Sequence, residues 1–210
     1  MSQTIYKART SFVLYGEAVR QGEKRSYDND DLEADLIRAG YIEEYNPATA
    51  DYGATDLSYM FYQGNRTGIT ADVFSSLGDD PVASLDSMCA YCYYLESIDV
   101  SGLDVSEVSN FNRVFMHCEA LISLDLSAWD TRSLQVSEYI FAYTKSLTTL
   151  IINNSARMFT LTNANALEGS AIAAGTGFVY VPASMVATYK ADAVWGQYAS
   201  QIKSMSELPA

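Results

Sequence analysis

The chain is poor in the side chains that most often carry chemistry. It holds three cysteines and a single histidine. Cys89 and Cys92 form a C-x-x-C, but no second such pair exists to complete a zinc site. Basic residues are scarce: 13 Lys and Arg stand against 26 Asp and Glu, a formal net charge of −13. Phosphate binding needs clustered Lys and Arg, and the densest group here is Arg20, Lys24 and Arg25. A nucleic-acid partner is therefore not expected. No apolar run approaches the ~18 residues that span a bilayer, so no membrane insertion is expected either. Met1-Ser2-Gln3-Thr4-Ile5-Tyr6-Lys7 shows no basic leader followed by an apolar core, which leads to the expectation of a protein made in a cytoplasm and not exported. Phosphate-cradling glycine loops and nucleophile elbows are also missing.

What the chain has is internal repetition. Leu95, Leu121 and Leu147 are spaced 26 residues apart. The same shift carries Ile98 to Leu124 to Leu150, and Val100 to Leu126 to Ile152. It carries Asp99 to Asp125, Leu103 to Trp129, Asp104 to Asp130 and Phe115 to Phe141. A period in this range signals stacked units, each burying its apolar side against its neighbours. Such architectures present surfaces, so recognition is favoured over catalysis. Ser97-Ile98-Asp99-Val100-Ser101 alternates as a short strand does. Leu103-Asp104-Val105-Ser106 turns the chain, with Asp and Ser suited to bond their own backbone. Val108 to Phe115 reads as a short helical or 3₁₀ segment.

Four units are expected over residues 69–154, starting near Ile69, Leu95, Leu121 and Leu147. The first is degenerate: Asp72 and Val73 fall where Ile98 and Asp99 sit later, while Phe74, Leu77, Val82 and Leu85 keep the period. Residues 46–68 form a linker and an incomplete capping coil, since Leu57-Ser58-Tyr59-Met60-Phe61 compares with Phe111–Phe115 and Ser137–Phe141. Residues 1–45 make a small β-rich module. Within it, Asp28-Asn29-Asp30-Asp31 and Glu33 open a short helix that Gly40 stops. Residues 155–210 form a C-terminal cap. Phe178 to Pro182 is its last strand, Ser184 caps a helix through Tyr189 and Lys190, and Trp195, Tyr198 and Ile202 continue at helical spacing.

The cysteines read as core. Cys89 shifts onto Phe115 and Cys92 onto Cys118, and buried free Cys behaves as a small apolar residue. A Cys92–Cys118 disulfide between adjacent coils is geometrically conceivable but disfavoured in a cytoplasm. The Asp99/Asp125 and Asp104/Asp130 pairs either hold Ca²⁺ or cap turns and face water; turn capping is the simpler reading, and no metal or cofactor is expected. His117 falls in register with Tyr91 and Tyr143. A general base needs an oriented partner and a nucleophile, and nothing supplies them, so the chain is not expected to be an enzyme. Tyrosine is abundant, at 16 residues. It gives contact area with little entropic loss. Tyr91, Tyr93, Tyr94, His117 and Tyr143 are therefore the candidate binding strip, with Tyr59 and Tyr139 half-buried as the structural alternative.

Leu124-Asp125-Leu126-Ser127-Ala128-Trp129-Asp130-Thr131, followed by Tyr139-Ile140-Phe141, resembles the BspA-like leucine-rich repeats. Val179-Tyr180-Val181-Pro182-Ala183-Ser184 through Trp195 is similar to the strand and helix that close such arrays. The resemblance covers roughly residues 57–203. It implies an α+β, β-rich fold: a short leucine-rich-repeat solenoid of parallel stacked strands, with the small N-terminal module and a C-terminal strand-helix cap. It also implies adhesive or virion roles. Asp35-Leu36-Ile37-Arg38-Ala39-Gly40-Tyr41-Ile42-Glu43-Glu44, with the turn Gly22-Glu23-Lys24-Arg25, resembles small phage structural modules. Together these imply a virion protein, a head decoration, fibre or tail-associated component, that meets a capsid or tail protein through residues 1–45. Its solenoid would meet a host cell-surface protein or glycan, and a homo-oligomer is the analogy from phage appendages. A bacterial cell-surface adhesin is the alternative.

Overall fold

The computed structural model describes the strand segments within residues 6–44, then residues 55–74 and 82–209. The helix expected after Asp28, the linker 46–54 and Leu77 lie outside the described residues. The fold is mixed α/β, with parallel strands predominating and one α-helix among the described residues. Near the N-terminus, β1 (Tyr6–Ala8) pairs antiparallel with both β4 (Lys24–Arg25) and β5 (Ile42–Glu44). β2 (Phe12–Leu14) and β3 (Glu17–Val19) form a hairpin.

From Thr55 onward the pairing turns parallel. β6 (Thr55–Asp56) pairs with β8 (Val82–Ser84), and β7 (Gly68–Ile69) with β9 (Ser97–Ile98). β10 (Ser123–Asp125), β11 (Thr149–Ile151), β12 (Phe178–Val181) and β13 (Ile202–Ser204) lie side by side in chain order. Leu124 faces Leu150 and Leu150 faces Val179, so a column of buried side chains runs under the sheet. Leu95, Leu121 and Leu147 are fully buried in one cluster, and each donates its N–H to the carbonyl three residues earlier. The periodic leucines thus occupy one repeated environment.

Each repeat is held by a few side chains that repeat with it. The Trp129 indole fills the column that Leu103 opens and donates to the Val100 carbonyl of the previous repeat at 3.2 Å. Phe115 and Phe141 stack with centroids 6.2 Å apart. The Cys92 thiol donates to the Phe61 carbonyl at 2.8 Å, and the Cys118 thiol to the Cys89 carbonyl at 3.1 Å. None of the three cysteines is in a disulfide, all are buried, and burial pushes the Cys89 and Cys118 thiols well above their ordinary range. Asp99 and Asp125 each accept from the backbone and hydroxyl of the serine two residues on, and face water.

Five local expectations are corrected. Ile69, not Asp72, takes the place of Ile98: the pairing of β7 with β9 runs at a 29-residue offset. The column needs a buried apolar group there, which Ile69 supplies while Asp72 stays exposed in a 3₁₀ turn. Val108–Phe115 is not a helical segment but part of a run of tight turns, because Arg113 and His117 sit at positive φ and interrupt any right-handed helix. Ser184 does not cap the helix. It lies in the 3₁₀ turn Ala183–Met185 that leads into α1 (Val186–Ala191), and Met185 occupies the cap position without a side-chain bond. Ile202 is not on a helical face, and β12 is not the last strand. Ile202 opens β13 and faces Val179, because the edge of β12 is better satisfied by a further backbone partner than by side chains. α1 and the following turn instead anchor the loop before them: the Phe159 N–H donates to Tyr189 Oη, and the Trp195 indole donates to the Phe159 carbonyl. Burial pushes the Tyr189 phenol up to about 12.

Phe115→Ala should remove a fully buried ring between Trp129 and Phe141 and cost ~3–5 kcal/mol, read from the chemical-denaturation midpoint. Acid should act through the turn carboxylates. The Ser101 and Ser106 hydroxyls and N–H groups hold Asp99 and Asp104 below their usual range. A lowered folded-state value means that this stability is complete above the unfolded carboxylate value of about 3.9 and is lost as pH falls through the folded one. The melting temperature should therefore drop below pH ~4, and Asp99→Asn with Asp104→Asn should flatten that drop.

Candidate functional site

The candidate site grows from one turn made five times. Phe61-Tyr62-Gln63-Gly64, Cys89-Ala90-Tyr91-Cys92, Phe115-Met116-His117-Cys118, Phe141-Ala142-Tyr143-Thr144 and Leu167-Glu168-Gly169-Ser170 each close with a bond from the last N–H to the first carbonyl. The first side chain of each is buried and fills the core. The third residue of each is left-handed: φ is 57° at Gln63, 63° at Tyr91, 60° at His117, 59° at Tyr143 and 64° at Gly169. That conformation favours Gly or Asn and is uncommon for large side chains. Here it is enforced between repeats. Tyr91 donates its N–H to the Met116 carbonyl at 2.7 Å, His117 to Ala142 at 2.9 Å and Tyr143 to Glu168 at 2.7 Å.

The turn aims the third side chains of the three middle turns outward in a single file. The Tyr91 and His117 rings stack at 4.9 Å and 16°, and the His117 and Tyr143 rings at 4.4 Å and 10°. Tyr62 meets Tyr91 edge-on at 5.5 Å, and Tyr93 approaches His117 at 5.8 Å. Ala90, Met116 and Ala142 form the apolar floor beneath. Gly169 ends the file. A Cβ there would lie 2.6 Å from Tyr143 Cδ1, so the backbone itself covers the last ring.

Polar groups fix the outer edge. His117 Nδ1 lies 3.2 Å from Glu119 Oε1, and Lys145 Nζ donates to Glu119 Oε2 at 2.8 Å. The Lys145 ammonium, with His117 behind it, keeps the Glu119 carboxyl below its usual range. Tyr143 Oη donates to Glu168 Oε1 at 2.7 Å, which holds the phenol proton on and raises its pKa. Asn165 Nδ2 donates to Tyr139 Oη at 3.0 Å.

Of the residues the sequence singled out, Tyr91, Tyr93, His117 and Tyr143 come together in this strip. Tyr94 stands one residue outside it, exposed, with no ring against it among the described residues. Two members escape the period reading. Tyr62 falls in the equivalent part of its unit, as the sequence suggests, although it precedes Ala90 by 28 residues instead of 26. Glu168 and Gly169 sit in a segment without apolar period, yet they fall 26 after Ala142 and Tyr143. Glu119 and Lys145 carried a usable signal: opposite charges one period apart. Among the described residues no group of three or more His, Cys, Asp or Glu could hold a metal ion. The thiols are in the core, and the His117 Nδ1 is engaged with a carboxylate.

A family model described as "Mycoplasma protein of unknown function, DUF285" matches residues 53–169. That span begins just before Leu57 and ends at Gly169, so it contains four of the five turns and all of the fifth but its closing Ser170. No curated protein and no solved structure matches the chain.

Gly169→Ala should clash with Tyr143 and strain a left-handed residue. The expected cost is ~1–3 kcal/mol in unfolding free energy, accompanied by a change in the near-ultraviolet tyrosine signal. An unchanged melting curve and spectrum would remove Gly169 as the stop of the ring file.

Proposed function

This chain belongs to the DUF285 family, and on that premise we propose that it is a non-enzymatic binding protein built as a short BspA-like leucine-rich-repeat solenoid. The observation that carries the reading is the file of five equivalent turns. It costs backbone strain at four non-glycine residues, and strain of this kind is retained where the surrounding structure over-determines it. The file holds large amphipathic rings at the surface in fixed spacing, which suits contact with a partner. It offers no nucleophile beside His117, and the cysteines are buried thiols of raised pKa, which suit packing and not reaction.

In this proposal the chain is a phage virion component. Residues 1–45 join it to a capsid or tail protein, and the solenoid meets a host-surface protein or glycan. The support is the likeness of residues 35–44 and of the turn at 22–25 to small phage structural modules. It fits that Lys24–Arg25 and Ile42–Glu44, the two ends of that likeness, flank β1 in one antiparallel sheet. A second reading, a bacterial surface adhesin of the BspA-like class, is favoured by the family description, which is of a Mycoplasma protein.

The two readings separate by location. Antibody labelling of the intact protein should mark purified particles under the first and the outside of cells under the second. Removing residues 1–45 should abolish particle labelling while leaving a cooperative unfolding transition. Labelling of neither particles nor cell surfaces would defeat both.

A further inference from the structure

The ring file has little free face. Tyr91, His117 and Tyr143 cover one another, and the Gly169 backbone closes the end. A ligand meets their edges and polar tips, not their planes. The large hydrophobic side chains that stand exposed among the described residues are Tyr93 at 44%, Tyr94 at 62% and Ile122 at 54%. They come from two adjoining segments of consecutive repeats. Tyr93 packs edge-on against Tyr91 at 6.0 Å, and Tyr94 follows it in the chain. The Ile122 N–H donates at 3.3 Å to the carbonyl of Glu96, two residues past Tyr94. The patch therefore lies where the aromatic turn runs into β9, across two consecutive repeats.

The fold does not require these side chains. The positions in register with Ile122 are Glu96 and Thr148, and those in register with Tyr94 are Ala120 and Ser146. The neighbouring repeats make the same turn and strand entry with polar or small groups. Exposed apolar groups that folding does not need mark an interaction surface.

The charge around the patch has a sign. Glu96 adjoins Ile122 in the ladder, and Asp99 and Asp125 project from the exposed ends of β9 and β10. Asp99 is held ionised by Ser101. Of the nearby cations, Lys145 is tied to Glu119 and Arg66 is half-buried. The whole chain carries −13. An isoleucine at the centre rewards apolar side chains, which a sugar lacks, and the acidic rim rewards cations.

We propose that Tyr93, Tyr94 and Ile122 form the docking surface for an extended protein segment that alternates basic and apolar side chains. Its apolar groups cover Ile122 and Tyr94, and its Lys or Arg groups face Glu96, Asp99 and Asp125, with the open Tyr94 ring available for a cation–π contact. The inference rests on the binding-protein reading and names the partner's chemistry.

The test titrates the full chain with a short fluorescent peptide of alternating lysine and leucine, and with its glutamate–leucine counterpart. Ile122→Thr and Tyr94→Ser borrow the residues of the next repeats, so both should melt as the parent does. Each should weaken the lysine–leucine peptide about tenfold, and the glutamate–leucine peptide should not bind. Equal affinity for parent and swapped chains overturns the proposal, because unchanged charge with unchanged binding means attraction by net charge alone. Absence of binding by the parent, or concentration-dependent dimerisation that the swaps abolish, overturns it as well. If the swaps leave binding intact while Tyr91→Ala removes it, this surface falls and the binding-protein reading stands.

Discussion

The structure depends on one constraint: every repeat must satisfy its backbone on the next one. A unit of this length cannot enclose its own apolar residues. Its N–H groups at alternate positions therefore reach the carbonyls of the following repeat, as at Ser87, Cys89 and Tyr91, and again at Phe111, Arg113, Phe115 and His117. Keeping that pattern through a tight turn forces a left-handed residue every fourth position, at Ser87 and Tyr91, Arg113 and His117, Tyr139 and Tyr143. The bonds to the next repeat hold that conformation in residues that would otherwise avoid it.

The aromatic file follows from the same constraint. A left-handed third residue points its side chain away from the core, and the fixed separation of repeats sets the separation of the rings. At 4.4 and 4.9 Å between centroids, His117 fits between two tyrosines as a flat spacer with a polar edge. Glu119 then bridges that edge to Lys145, so charge as well as shape is passed from repeat to repeat. The file stops where Gly169 replaces a ring with backbone. Beyond it, Tyr189 and Trp195 clamp Phe159 and close the apolar end.

Function, in the proposal made here, belongs to surfaces that the repetition builds and that single residues then modify. Most positions on the strand face are polar: Ser97, Asp99, Ser123 and Asp125 are all exposed. Tyr94 and Ile122 depart from that rule without any packing need. Departures of this kind separate what the array requires for folding from what it offers to a partner.

The sequence by itself determined the repeat, its core columns and its capped turns. Leucines at constant spacing can be buried together only if the units are neighbours, and Asp followed two residues later by Ser bonds locally wherever it sits. It also pointed to Tyr91, His117 and Tyr143, since residues one period apart must come close, and to Tyr93 as their neighbour in the chain. Only the tertiary structure decided the rest. No residue type announces a left-handed tyrosine or histidine, because the bond that enforces it comes from another repeat. The 28- and 29-residue offsets at Tyr62 and Ile69 are set by which side chain fills the column, not by counting. Ile202 became a strand because β12 had an edge to satisfy, a demand that exists only once β12 is in place.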